Sequence, residues 1–246
     1  MKTCNILGVN IAVTNMNNTL KYIEKNLDSI KGNYICVSNV HTTVMAYEDE
    51  NYRNIQNGGV LALPDGGPLS TISRKRGFKY AERVTGPDLM KEIFQISEEK
   101  GYTHYFYGST DKTLDRLKLK LKEQYPRLNI VGMYSPPFAN KVSIENEAVL
   151  HEINKSNADF IWVGLGAPKQ EIWMALHKQK VNGLMIGVGA GFNYFAGEIK
   201  RAPKWMQKNN MEWIYRLKQD YKRLFKRYMK TNLKFIRLIM LRRNYD

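Results

Sequence analysis

Cysteine and histidine are scarce in this chain, with two of the first and four of the second in 246 residues. Cys4 and Cys36 lie too far apart for a disulfide-stapled small domain or the paired clusters of a zinc site, so a reducing compartment is expected. His41, His104, His151 and His177 are not at ligand spacing, which disfavours a metal centre, and His151 and His177 read as helix-surface residues. No stretch reaches the roughly 18 apolar residues that span a bilayer, and Met1-Lys2-Thr3-Cys4-Asn5 lacks the charged-then-apolar order of a signal peptide. Contact with a membrane, if any, is expected at its surface. Also missing are a Walker sequence, a properly placed G-x-G-x-x-G and a G-x-S-x-G elbow. These absences disfavour a P-loop ATPase, an ordinary nicotinamide dehydrogenase and an elbow-type hydrolase.

Acidic residues are in deficit as well: 23 Asp and Glu against 38 Lys and Arg, a net charge of +15 with neutral histidines. The excess is not spread evenly. From Lys200 to Asp246 there are 15 basic and 3 acidic residues, so this segment carries +12 and residues 1–199 only +3. A near-neutral body with a cationic tail points to a polyanionic partner, whether nucleic acid, an anionic membrane surface or a phosphorylated substrate. With 43% apolar and 25% charged residues the chain has the composition of a folded globular protein rather than a disordered one.

Short β-branched and aromatic runs alternate with longer amphipathic ones. The runs predict strands at Ile6–Val13, Tyr34–Val40, Val60–Leu63, Thr103–Tyr107, Asn129–Tyr134, Phe160–Val163 and Leu184–Val188. Helices are predicted at about 17–30, 42–56, 87–99, 111–124, 144–154 and 168–179, with Asp111 as an N-cap. This is an α/β, Rossmann-like pattern over residues 1–199: a mostly parallel sheet wound with helices. Residues 200–246 follow as a basic, amphipathic helical appendage.

In such sheets ligands bind beyond the carboxyl ends of the strands. Gly108, Gly164, Gly166, Gly187, Gly189 and Gly191 all fall there, where a bare backbone lets a phosphate approach a helix N-terminus. The same glycines also serve plain strand-to-helix turns. Asp65, between Pro64 and Gly66, is either a turn residue or a carboxylate that projects into a cleft as a general base. Asn39 on a neighbouring loop favours the second reading. So does Arg83, which leads into a Gly-Pro helix start and suits an anionic leaving group.

In the tail, Trp213, Leu217, Leu224 and Tyr228 mark one apolar helix face. Arg216, Arg223, Arg227, Lys230, Lys234 and Arg237 recur along another. The terminal run Phe235-Ile236-Arg237-Leu238-Ile239-Met240-Leu241 ends in Arg242-Arg243. A cationic helix with apolar insertion residues is the pattern of an interfacial anchor on anionic lipid over residues 216–243, against the plainer reading of a helix packed on its own domain.

Five ordered motifs together resemble the WecG/TagA/CpsF glycosyltransferase family. They are Leu63-Pro64-Asp65-Gly66, Arg83-Val84-Thr85-Gly86-Pro87-Asp88, Gly164-Leu165-Gly166-Ala167-Pro168-Lys169-Gln170-Glu171, Gly187-Val188-Gly189-Ala190-Gly191-Phe192, and Arg201-Ala202-Pro203 followed by Glu212-Trp213-Ile214-Tyr215-Arg216. The resemblance implies an inverting transferase without metal or other cofactor. Such enzymes move a sugar from a UDP-sugar to a polyprenyl-diphosphate-linked acceptor sugar, working from the bacterial cytoplasm at the inner face of the membrane. The donor sugars implied are N-acetylmannosamine and its relatives, glucose or glucuronic acid, for teichoic acid, capsule or exopolysaccharide. By the same resemblance Asp65 matches the base, and Asn39, Arg83 and Gln170 line the reaction centre. Gly108, Gly164, Gly166, Gly189 and Asn193 fall at the donor site, and Arg216, Arg223 and Arg227 match the appendage arginines over the diphosphate. Asn193 stands where an Asp is common, and Asp220-Tyr221 where Glu-Pro is frequent, so a helix is expected to run through 220 unbent. The rival class, a nucleic-acid-binding protein, would explain the basic tail but leaves the Asp65 and Gln170 loops without a role. No nucleic acid is therefore expected as a partner, and a homo-oligomer remains open.

Overall fold

The computed structural model describes residues 1–138 and 147–242. Its strands are β1 (Thr3–Ile6), β2 (Val9–Ala12), β3 (Tyr34–Ser38), β4 (Leu61–Pro64), β5 (Thr103–Gly108), β6 (Asn129–Tyr134), β7 (Phe160–Gly164) and β8 (Leu184–Gly187). The helices of the first half are α1 (Met16–Ile30), α2 (Val40–Glu48), α3 (Glu50–Gly58), α4 (Gly67–Lys75), α5 (Gly86–Lys100) and α6 (Asp111–Gln124). Those of the second are α7 (Glu147–Lys155), α8 (Lys169–Leu176), α9 (Gly191–Phe195), α10 (Lys204–Lys208), α11 (Glu212–Gln219) and α12 (Tyr221–Arg242).

The strands form one sheet in the order β1-β2-β4-β3-β8-β7-β5-β6. Only β1 and β2 pair antiparallel among the described residues; the other pairings are parallel. Strands covered on both faces need apolar side chains at every position, which is why they read as unbroken runs. In β3, Ile35 and Val37 face α1, α5 and α6, while Tyr34 and Cys36 face α2, α3 and α8. In β7, Phe160 and Trp162 take the first side and Ile161 and Val163 the second. The two cores are thus the two faces of one pleat.

Several sequence expectations are corrected. The run Ile6–Val13 is a hairpin: the chain reverses at Leu7 (φ 52°) and Gly8 (φ 91°), the paired positive angles of tight hairpin turns. The helix expected over 42–56 divides at Asp49, whose carboxylate accepts from the amides of Asn51 and Tyr52 and so starts α3. Helix α4 was hidden because Gly66-Gly67-Pro68 reads as a turn, although Pro68 sits in its first turn, where no N–H is needed. Thr110, not Asp111, caps α6 by accepting from the Thr113 amide at 3.2 Å. His177 is buried rather than on the surface, with Nδ1 2.7 Å from the Trp173 carbonyl oxygen. Of the helix expected over 144–154, residues 144–146 lie outside the described residues and the rest belongs to α7.

The C-terminal helices do not run through. Asp220 (φ −140°, ψ 59°) ends α11 and its carbonyl accepts from the Leu224 amide as α12 begins. Aspartate competes for nearby backbone groups and favours helix starts, so the break needs no proline. Beyond it α12 packs on α2, burying Phe235 and seating Leu238 and Ile239 against the core on that side of the sheet. Lys234 pairs with Glu48 at the end of α2. The opposite side of α12 exposes Tyr221, Phe225, Met229, Leu233, Ile236 and Met240, spaced three or four residues apart along one stripe. No described helix is long and apolar enough to cross a membrane.

Candidate functional site

The chain changes direction across the sheet between β3 and β8, with β1 to β4 on one side and β5 to β8 on the other. The crevice outside the carboxyl ends of strands at such a switch is the expected ligand position. Asn39 follows β3 and caps α2, its Oδ1 accepting from the amides of His41 (3.0 Å) and Thr42 (3.2 Å). Its side chain also hydrogen-bonds the Asp65 carboxylate. Asp65 follows β4, and its amide donates to the Ser38 carbonyl at 2.7 Å, carrying the β3–β4 pairing one step past the strand end. The sheet itself therefore sets the Asn39–Asp65 pair.

Asp65 is half-buried, and burial pushes its carboxyl pKa up to about 6, with the Glu212 charge raising it further. Arg216, the Asn39 hydrogen bond and Arg83 pull against that rise. Both arginines belong to a cluster that gathers distant parts of the chain. Arg83 Nη1 lies 3.2 Å from Glu212 Oε2 on α11. Arg201 Nε lies 2.9 Å from Glu212 Oε1, an ion pair off the line of a hydrogen bond, and Arg201 Nη1 lies 3.1 Å from Asp88 Oδ1 on α5. The Arg201 and Arg216 guanidiniums sit over the Tyr194 ring, 5.3 and 5.7 Å from its centroid. Arg216 also lines a cavity of about 370 Å³ with Glu198, Ile199, Gln219, Asp220 and Leu224.

Gln170 is placed differently from its neighbours in the expected set. Its Oε1 accepts from the amides of Gly166 (3.2 Å) and Gly189 (2.9 Å), and its Nε2 donates to Glu171 Oε1 at 2.8 Å. The side chain is buried and fastens the loops after β7 and β8 to each other. Beneath it runs a buried polar chain. Glu171 hydrogen-bonds Tyr52, whose hydroxyl accepts from Gln56 Nε2 at 3.0 Å, and Ser38 Oγ donates to Gln56 Oε1 at 2.5 Å. Burial raises the Glu171 carboxyl above its usual range. The chain ties the residue before Asn39 to the loop that carries Gln170, so four strand ends are held in one frame.

The glycines divide by role. Gly108 (φ 118°) lies opposite Gly164, and a Cβ on it would sit 2.8 Å from the Gly164 carbonyl carbon, so close strand packing accounts for it. The space beside Gly164 is taken by the Phe192 ring. Gly166 faces open space at the crevice, and Gly189 presents its amide to Gln170. Asn193 is turned to Glu198, donating from Nδ2 to Oε2 at 2.8 Å, and so borders the Arg216 cavity through that carboxylate. Arg223 and Arg227 fall on α12, but their side chains lie outside the described residues. Among the described residues no three His, Cys, Asp or Glu side chains gather to hold a metal ion.

Sequence reasoning missed Arg201, Glu212, Asp88 and Tyr194 as members of the site. Arg201, Glu212 and Asp88 stand in the motifs that carry the family resemblance, which was the available signal. Their pairing across 113 and 129 positions of the chain, Arg201 with Asp88 and Glu212 with Arg83, carries no local mark.

An α/β sheet with a half-buried carboxylate ringed by guanidiniums at its carboxyl edge has the place and chemistry of an enzyme site. Residues 4–245 match the family model described as the Glycosyl transferase WecG/TagA/CpsF family, and the chain belongs to that family. A similar protein is the N-acetylglucosaminyldiphosphoundecaprenol N-acetyl-beta-D-mannosaminyltransferase of Bacillus subtilis (strain 168), 29% identical over 88% of this chain and 84% of the relative. Proteins of the same name from Staphylococcus aureus strains MW2 and NCTC 8325 are 29% identical over 89% of this chain and 85% of their own length.

Proposed function

We propose that the protein is an inverting, metal-independent glycosyltransferase. It transfers a sugar of the N-acetylmannosamine type from a UDP-sugar to a polyprenyl-diphosphate-linked N-acetylglucosamine, in teichoic acid or related cell-surface polymer synthesis. The names of the relatives support this acceptor and this sugar over glucose or glucuronic acid. The observation that carries the chemistry is Asp65, a carboxylate with its pKa near 6 set between Asn39, Arg83 and Arg216 at the sheet's edge.

The acceptor hydroxyl attacks the anomeric carbon from the face opposite the leaving group. Its proton passes to the Asp65 carboxylate while the bond from that carbon to the diphosphate oxygen breaks, and the electron pair leaves with UDP. A carboxylate with a pKa just below neutral is ionised at working pH yet basic enough to accept the proton. Charge developing on the leaving diphosphate is met by Arg83 and Arg216, with Arg223 and Arg227 as further donors from α12. Asn39 orients Asp65, and Gln170 holds the loops after β7 and β8 at the spacing the donor needs. The exposed apolar stripe of α12, flanked by Lys222, Lys226, Lys230 and Arg237, lies in the headgroup region of an anionic membrane. With a UDP-sugar as donor, the enzyme works from the cytoplasmic face, beside its lipid-linked acceptor.

Asp65→Asn is the direct test. It keeps the size and a hydrogen bond to Asn39 but removes the base, so transfer is expected to fall by about 100-fold or more with UDP affinity retained. Transfer at the wild-type rate would remove Asp65 from the chemistry, and an unfolded variant would return it to a turn residue.

A further inference from the structure

Glu212 opens α11, and its side chain is 18% exposed, wedged between two arginines from different parts of the chain. Its Oε2 meets Arg83, from the loop that enters α5, and its Oε1 meets Arg201, from the segment before α10. Gln207 Oε1 braces the pair, accepting from Arg201 Nη2 at 3.2 Å and Arg83 Nη2 at 3.5 Å. The carboxylate is thus the point where the C-terminal helices grip one of the two guanidiniums that act on the proposed base. Asp65, Asp88 and Glu212 oppose Arg83, Arg201 and Arg216, so the formal charges of the cluster cancel.

We propose that Glu212 is a positioning residue for the transfer reaction: it fixes the Arg83 guanidinium beside Asp65 and, through its own negative charge, keeps Asp65 competent as the base. The inference rests on the reading of Asp65 as the base. Asp65 is faced by Asn39 at the start of α2, by Arg83, by Glu212 and Arg216 on α11, and by Tyr194 on α9. Two nearby cations alone would hold a carboxylate ionised and make it a poor proton acceptor. A second carboxylate, bound to one of those cations, offsets their pull without removing the positive charge from where the diphosphate leaves. It also makes the site depend on α11: with that helix undocked, Arg83 loses its anchor and Asp65 loses the neighbour that raises its basicity.

Glu212→Gln in the full-length chain separates charge from packing, because the amide oxygen still accepts from arginine. Carbon-13 carboxyl NMR of Asp65 in the ligand-free protein is expected to show a titration midpoint lowered by roughly 0.5–1 unit. The acid limb of kcat/KM is expected to move down by the same amount. Glu212→Asp keeps the charge on a shorter arm, so its acid limb should stay at the wild-type position while kcat drops. If the Asp65 midpoint and the acid limb both stay fixed in Glu212→Gln, Glu212 is only a packing contact and the inference is overturned, whatever happens to the rate. The NMR readout needs no turnover. Failure of the base assignment, seen as an active Asp65→Asn, is therefore distinguishable from failure of the Glu212 role.

Discussion

Asp65 sits where opposed effects nearly balance. Burial and the Glu212 charge raise its pKa to about 6, while Arg216, Asn39 and Arg83 hold it from rising further. Two pH dependences of opposite sign follow. As the base must be ionised, kcat/KM is expected to fall as pH drops through about 6. Stability goes the other way, because the folded value lies above the ordinary 3.8. The contribution of Asp65 is full below about 3.8 and lost as pH rises through about 6. Asp65→Asn should therefore melt above the wild type at about pH 7.5, and this margin should shrink toward about pH 5. A constant margin across that range in calorimetry would mean that Asp65 is not buried as described. Asn39, Asp65 and Arg83 were legible because each stands one step past a strand or before a helix start. Gln170 was legible as important but not as a loop fastener, since both of its amide partners are backbone groups that no side-chain pattern reports.

Helix α12 is apolar on two sides for two reasons. Phe235 is buried against the α2 side of the core, and truncating it to Ala is expected to cost about 3–5 kcal/mol by chemical denaturation. Phe225 and Ile236, on the outer stripe, are 41% and 52% exposed. Changing both to Ser should leave stability within about 0.5 kcal/mol per site and lower binding to vesicles containing anionic lipid. Unchanged vesicle binding in that double variant would contradict a membrane role for the stripe. Sequence periodicity found the helix and its basic residues but left buried Phe235 and exposed Ile236 in one insertion run, because they are neighbours in the chain and only packing on α2 tells them apart. Strand positions from β3 onward were equally plain. Short breaks were not: Asp49 and Asp220 each end an element without a glycine or proline signal, and the lone Gly8 did not split the apolar run Ile6–Val13.

Across the whole molecule, positive charge is arranged in two ways. Arg83, Arg201 and Arg216 are matched by carboxylates at the sheet's edge and add nothing to the net charge of +15, yet they stand where the proposed transfer would release its diphosphate. Helix α12 carries eight basic and no acidic residues beside the exposed stripe and suits an anionic surface. The parallel sheet brings Asn39, Asp65 and the Gln170 loop together, and the C-terminal helices add Glu212 and Arg216. The first group was readable from the order of elements. The second was not, because it depends on how α11 docks. The proposed sugar transfer from a UDP-sugar to a lipid-diphosphate acceptor is read out by a transfer assay. The assay would present UDP-sugars in parallel with a short-chain polyprenyl-diphosphate-linked N-acetylglucosamine, with and without EDTA. A disaccharide-lipid product is expected from UDP-N-acetylmannosamine at the same rate in both conditions. Consumption of none of the donors, or transfer abolished by EDTA and restored by a divalent ion, would contradict it.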